Sequence, residues 1–96
     1  MAYTVEIAPE AKKSLKKLDK SVRDRIKKKI DDIEKKITEW NVGPDVAVEK
    51  RLRAPFNQIL QKRIGDYRVW FEDIREYEVL LISFVGHKKD AEERLG

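Results

Sequence analysis

The stretch Leu60-Gln61-Lys62-Arg63-Ile64-Gly65-Asp66-Tyr67-Arg68-Val69-Trp70-Phe71 decides how this chain is read. Two runs with strand character flank a Gly-Asp pair, the signature of a two-residue β-hairpin. Lys62, Arg63 and Arg68 stand close to the turn. From residue 50 to residue 68 there are six Lys or Arg and one acid, Asp66, a net of +5 in a chain whose total is +4. Positive charge is therefore concentrated on one hairpin and its approach. Such a concentration suits an anion.

Outward from the hairpin, the pattern is legible on both sides. Tyr3, Val5 and Ile7 alternate with Thr4 and Glu6, which predicts a short first strand. Pro9 sits where a first helical residue tolerates proline, and Ala11, Leu15 and Leu18 follow at helical spacing. Asp19 to Ser21 interrupt that run with capping side chains. Val22, Ile26, Ile30, Ile33 and Ile37 then form one apolar stripe of a longer helix, so residues 9 to 38 read as a helical hairpin covering one face of a sheet. The lysine run Lys27-Lys28-Lys29 is read as a solvated helix face, with nucleic-acid or ribosome contact as the alternative. Turn signals at Asn41-Val42-Gly43-Pro44-Asp45 and Ala54-Pro55-Phe56-Asn57 bracket a short helical turn between Val46 and Leu52. Strands are expected at about 58–64, 67–73 and 77–85, and the polar tail after Gly86 is expected to add no more than a helical turn. The order is βααβββ in a single domain, residues 1–96: an α+β fold with a small, curved, mainly antiparallel sheet.

Composition excludes several chemistries. No cysteine is present, which removes disulfides, thiolate catalysis and Cys-based zinc sites, and the one histidine cannot make a multi-histidine metal site within one chain. No Gly-rich phosphate loop, dinucleotide fingerprint, paired catalytic carboxylates or serine triad is visible. Neither metal nor cofactor is expected. The N-terminus reads as neither a signal peptide nor a membrane span, so a cytoplasmic protein without membrane association is the expectation.

Two groups of residues could carry chemistry. On the strand 67–73, Tyr67, Val69 and Phe71 point one way and Arg68, Trp70 and Glu72 the other. With the helical hairpin over the Val69 face, Arg68 stands on the uncovered face, and strand register decides whether Arg63 joins it. Exposed cations contribute little to stability, roughly 0–1 kcal/mol per ion pair, whereas arginine grips phosphate in bidentate fashion. A solvated strand face and an anion site both fit this composition. Downstream, Gly86-His87-Lys88-Lys89 delivers a histidine and two lysines to the rim of the sheet. Histidine is a natural proton carrier beside a phosphate, and it is equally read as a lone surface residue.

The βααβββ order, the block Arg63-Ile64-Gly65-Asp66-Tyr67-Arg68-Val69 and the block Val85-Gly86-His87-Lys88-Lys89-Asp90 resemble the RelE/ParE superfamily of toxin–antitoxin toxins. Glu49-Lys50-Arg51-Leu52 resembles the basic approach that precedes the second strand in that superfamily. The resemblance implies a ribosome-dependent mRNA endoribonuclease, cutting in the A site by 2′-hydroxyl attack on the scissile phosphate and neutralised by a cognate antitoxin. Carried over by position, Arg63, Arg68, His87 and Lys88 are the implied catalytic set. Lys50, Arg51, Arg53, Lys62 and Lys89 are the implied contacts to RNA or the ribosome. Two departures stand out: Ala91-Glu92-Glu93-Arg94 lacks the tyrosine that strongly active relatives carry, and Gln61 stands where many have a basic residue. The same resemblance leaves open a ParE-like toxin that blocks DNA gyrase without nuclease activity, and a degenerate RNA-binding homologue.

Overall fold

The computed structural model describes residues 3–48 and 50–96, so Met1, Ala2 and Glu49 of the basic approach lie outside the described residues. The chain runs β1 (Thr4–Ile7), α1 (Pro9–Lys17), α2 (Lys20–Thr38), α3 (Pro44–Val48), β2 (Ile59–Ile64), β3 (Tyr67–Ile74), a 3₁₀ turn (Arg75–Tyr77), β4 (Val79–His87) and α4 (Lys88–Leu95). One four-stranded sheet holds them in the order β1-β4-β3-β2. β1 lies parallel to β4, while β2–β3 and β3–β4 are antiparallel. The expected α+β architecture is present. Among the described residues no helix is long and apolar enough to cross a membrane.

The helical hairpin packs as its stripe dictates. Ala11 and Leu15 of α1 and Ile26, Ile33 and Ile37 of α2 are buried against Leu60, Val69, Phe71, Leu80, Ile82 and Val85 of the sheet. Burying each of the leucine, isoleucine, valine and phenylalanine side chains contributes roughly 1.5–3 kcal/mol. β1 needs only four residues because its parallel pairing stops at Ile7↔Ile82, after which Ala8 N donates to Ile82 O and α1 begins. Beyond that point, among the described residues, Ser83 to His87 of β4 have no strand beside them on the β1 side.

A β-bulge sets the faces of β4. Trp70 pairs with Phe84 but Phe71 pairs with Ile82, so Ser83 is the extra residue. The bulge resets the alternation: Ile82 and Val85, three apart, both face the helices, whereas Phe84 and Gly86 turn to the other side.

That other side is not open along its length. A second apolar cluster of Trp70, Phe84 and Ala91, flanked by Leu52, Ile59 and Leu95, sits there. α4 is a full helix of eight residues where the sequence pattern suggested a helical turn at most. Its apolar content is one pair four residues apart, Ala91 and Leu95, too little to register as amphipathic periodicity. It is fixed instead by tertiary burial of the two aromatics. The α3 helix is shorter and earlier than expected, at Pro44–Val48, and Lys50 to Leu52 run extended beside β2 through the bridge Arg51↔Leu60.

Candidate anion-binding surface

The β2–β3 turn has Gly65 at its first central position with φ +59°, a conformation that glycine adopts at no steric cost. A methyl built on Gly65 would come within 2.9 Å of the Arg25 Nη2, so the α2 guanidinium already lies over the turn. Register answers the question the sequence left open. Arg63 is directly opposite Arg68, and Arg68 is directly opposite Gly86, so the two guanidinium groups share the face turned away from the helical hairpin.

Arg68 is half-buried, and its Nη1 donates to Gly65 O at 3.0 Å and to Tyr67 O at 2.9 Å. Those bonds brace the side chain against the turn and leave Nε–H and Nη2–H donors to spare. Among the described residues no carboxylate lies within ion-pairing distance of Arg63 or Arg68. Like charges directly opposite on a sheet are destabilising, so fold stability does not account for the pair.

Next along this face come Gln61, Trp70 and Phe84. Gln61 is buried and its Oε1 accepts from Trp70 Nε1 at 2.9 Å, while the Trp70 and Phe84 rings lie 4.8 Å apart. The Arg94 guanidinium sits 4.8 Å above the Phe84 ring. Phe84 also explains Gly86, which lies within β4 and does not terminate it: a Cβ there would be 2.8 Å from Phe84 Cζ. The Phe84 ring thus lies over Gly86, directly beside Arg68 on this face.

His87 does not join the arginines. It pairs with Tyr67, whose side chain packs on the helical-hairpin core, and the two rings meet edge-on at 5.5 Å. His87 Nδ1 accepts from Lys89 N at 3.2 Å, which makes the residue the N-cap of α4. A cleft of about 590 Å³ runs along the end of β4, lined by Lys17 and Leu18 at the end of α1, by Tyr67 and His87, and by Phe84, Gly86, Asp90, Glu93 and Arg94. Lys62 pairs with buried Val69 and so faces the helices too. Lys88 is at the turn, with Nζ 3.6 Å from Asp66 Oδ1, and Lys89 is exposed beside it. Of the four residues implied as catalytic, the fold joins Arg63 and Arg68, keeps Lys88 near the turn, and turns His87 to the opposite face.

The approach residues divide as well. Lys50 and Arg53 rim a cleft of about 500 Å³ that also contains Leu52, Phe56 and Leu95. Arg51 is tied internally: its guanidinium bonds Asp45 Oδ1, Asn57 O and Asp73 Oδ2 at 2.7–3.1 Å. Asp73 also accepts from Tyr3 Oη at 2.9 Å and Arg75 Nε at 3.1 Å. Burial pushes the Asp73 carboxyl up, but the hydrogen bonds from Tyr3, Arg51 and Arg75 outweigh it and hold the group below its ordinary value. Burial, and then the bond to Asp73, pushes the Tyr3 hydroxyl up. Three participants escape sequence reasoning: Arg25 over the turn, Arg94 over Phe84 and Asp73 as an anchor. Their roles depend on contacts between elements distant in sequence, for which no local pattern exists.

The architecture is an α+β one: a four-stranded sheet with a helical hairpin on one face and, at its β2–β3 turn, two arginines that have no ion-pair partner among the described residues. The chain belongs to the ParE toxin family of type II toxin–antitoxin systems (parDE), whose model matches residues 5–92. It is similar to a double mutant of the Escherichia coli toxin RelE in the free state, at 25% identity over 96% of this chain and 90% of that one, with a TM-score of 0.68. Another form of that mutant, in complex with a peptide of the antitoxin RelB, matches at 24% identity, 98% and 95% coverage, and a TM-score of 0.67. The RelB–RelE antitoxin–toxin complex of Methanococcus jannaschii matches at 21% identity, 90% and 93% coverage, and a TM-score of 0.65. Among curated proteins, no sequence matches this chain.

Proposed function

We propose that this chain is a toxin that arrests growth by binding its target through the cationic end of the sheet, without cutting RNA. The observation that carries this reading is the β3–β4 register, which pairs Tyr67 with His87 and Arg68 with Gly86. Cleavage by 2′-hydroxyl attack needs a proton acceptor and a proton donor close to the cations that stabilise the phosphorane. On the Arg68 face the neighbouring row is Gln61, Trp70 and Phe84, none of which exchanges protons near neutral pH. Glu72 is four residues along β3, about 13 Å at roughly 3.3 Å per residue. A binding surface needs no such group. In the ParE reading the target is DNA gyrase, blocked by protein contact in the cytoplasm, and a separate cognate antitoxin neutralises the toxin. Support for the antitoxin comes from the family and from the RelB complexes of similar folds.

The ribosome-dependent endoribonuclease is the second reading, favoured by one feature: Arg63 and Arg68 opposite each other, without counterions, could clamp a scissile phosphate while Lys88 stands at the turn. Inducible expression in a bacterium separates the two, with mRNA 5′ ends and double-strand DNA breaks mapped in the same cells. Binding without cleavage predicts arrest with DNA breaks, no A-site cuts, and a His87→Ala variant as toxic as the wild type. A-site cuts that vanish in both Arg68→Ala and His87→Ala would overturn it in favour of the nuclease.

A further inference from the structure

The helical hairpin carries its charge unevenly. Between Pro9 and Ile30 ten Lys or Arg stand against three acids, Glu10, Asp19 and Asp24, a net of +7. Between Asp31 and Glu39 two lysines stand against four acids, a net of −2. The fold converts this sequence asymmetry into a spatial one. α1 starts beside Ile82, in mid-sheet, and ends at Leu18, which shares a cleft with Tyr67 and His87 next to the β2–β3 turn. α2 starts at that same end, where Arg25 reaches Gly65, and finishes at the opposite end near α3. The basic halves of both helices therefore converge on the end of the sheet that already displays Arg63 and Arg68.

We propose a second nucleic-acid contact surface, on the helical side of the β2–β3 turn, that grips the phosphodiester backbone through Lys16, Lys17, Lys20, Arg25 and Lys62. Of these, Lys16, Lys17, Lys20 and Arg25 are exposed, and Lys62 faces the helices from the edge strand β2. Among the described residues none of the five is in an ion pair, although six acids lie in the same helical hairpin. With the arginine pair on the other face, the turn presents cations on both sides of the sheet. The acid-rich far end completes a charge gradient that orients a polyanion toward this end. Stability does not call for the arrangement, because solvated like charges repel. The surface stands apart from the identity of the toxin's target.

The test is fluorescence anisotropy with labelled 20-mers of one sequence, as duplex DNA, duplex RNA and single strands, across a salt series. Each backbone contact contributes about −0.9 to the slope of log K against log salt on duplex DNA, or about eightfold in affinity at 0.1 M salt. The variant Lys16→Gln/Lys17→Gln/Lys20→Gln/Lys62→Gln is expected to flatten the slope by about 3–4, with an unchanged melting temperature. The control Lys35→Gln/Lys36→Gln, at the far end of α2, is expected to keep wild-type affinity and slope to within about one contact. The oligonucleotide bound most tightly identifies DNA or RNA as the source of the backbone. Wild-type protein without salt-dependent binding, a fourfold variant equal to wild type, or a control that loses as much per lysine would each overturn the proposal.

Discussion

Replacing Asp73 by alanine tests the anchor that fixes the basic approach to the sheet. The Asp73 side chain is 2% exposed and accepts from Tyr3, Arg51 and Arg75. Those three bonds are unequal. Arg75 is 69% exposed, so its share is about 0.5 kcal/mol. Arg51 is 26% exposed and retains Asp45 and Asn57 O, so it loses on the order of 1 kcal/mol. Tyr3 loses its buried acceptor, another ~1 kcal/mol. The expected destabilisation is about 2–3 kcal/mol, a large share of the roughly 5–14 kcal/mol available to a domain of this length. It lowers the Tm by about 10–20 °C. Urea melts at pH 7 measure it directly, and a cycle with Tyr3→Phe isolates a coupling of about 1 kcal/mol. The pH dependence follows in sign. Asp73 titrates below its ordinary 3.8 in the folded chain, so its contribution is present above pH 3.8 and is lost as the pH falls through the lower folded value. The gap between wild type and Asp73→Ala must therefore narrow below pH 3.8. A loss under 0.5 kcal/mol at pH 7, or a gap that persists unchanged at acid pH, refutes the assignment of Asp73 as an anchor.

Further outcomes can be checked in the same way. Arg68→Ala removes a half-buried side chain that bonds only turn carbonyls, so growth arrest should weaken while urea stability falls by no more than about 1–2 kcal/mol. Gly86→Ala places a methyl 2.8 Å from Phe84 Cζ and should cost about 1–3 kcal/mol, most of it recovered by pairing with Phe84→Leu; no recovery would show that ring overlap is not the cause. Trp70→Phe leaves the buried Gln61 Oε1 without its donor and should cost about 1–3 kcal/mol in urea melts, whereas the double change with Gln61→Leu should cost less than the single one.

How much was legible in the sequence depended on whether the signal was local. The isoleucine stripe of α2 and the Gly65-Asp66 turn carry their own periodicity and turn chemistry, and both elements formed where expected. Strand ends shifted by up to two residues, and β4 runs to His87 because its last residues pair with Tyr67 and Arg68 across the sheet. α4 was invisible, since Ala91 and Leu95 gain meaning only beneath Trp70 and Phe84. The fate of His87 was equally hidden. Side-chain alternation along β4 passes through the bulge at Ser83, and counting residues from the apolar core of the strand without it puts His87 on the wrong face. The basic approach looked uniform as a string of charges, yet Arg51 is drawn inward by two aspartates that are six and twenty-two residues away.

The two ends of the sheet show what this chain does with arginine when stability is at stake. At the end near α3, Arg51 and Arg75 are met by Asp45 and Asp73, four side chains within a continuous set of contacts no longer than 3.6 Å. The sequence has acids to spare, 18 of them, and folds them against cations where packing demands it. At the β2–β3 turn the opposite holds: Arg63 faces Arg68 across the ladder, Arg25 lies over Gly65, and Asp66 is drawn to Lys88 and not to either strand arginine. Repulsion between opposed like charges costs on the order of 0.2–1 kcal/mol, a penalty that one glutamate at position 63 would remove. That opposed pair at one end only, in a protein that neutralises arginines at the other, is the reason for proposing the turn as an anion-binding surface.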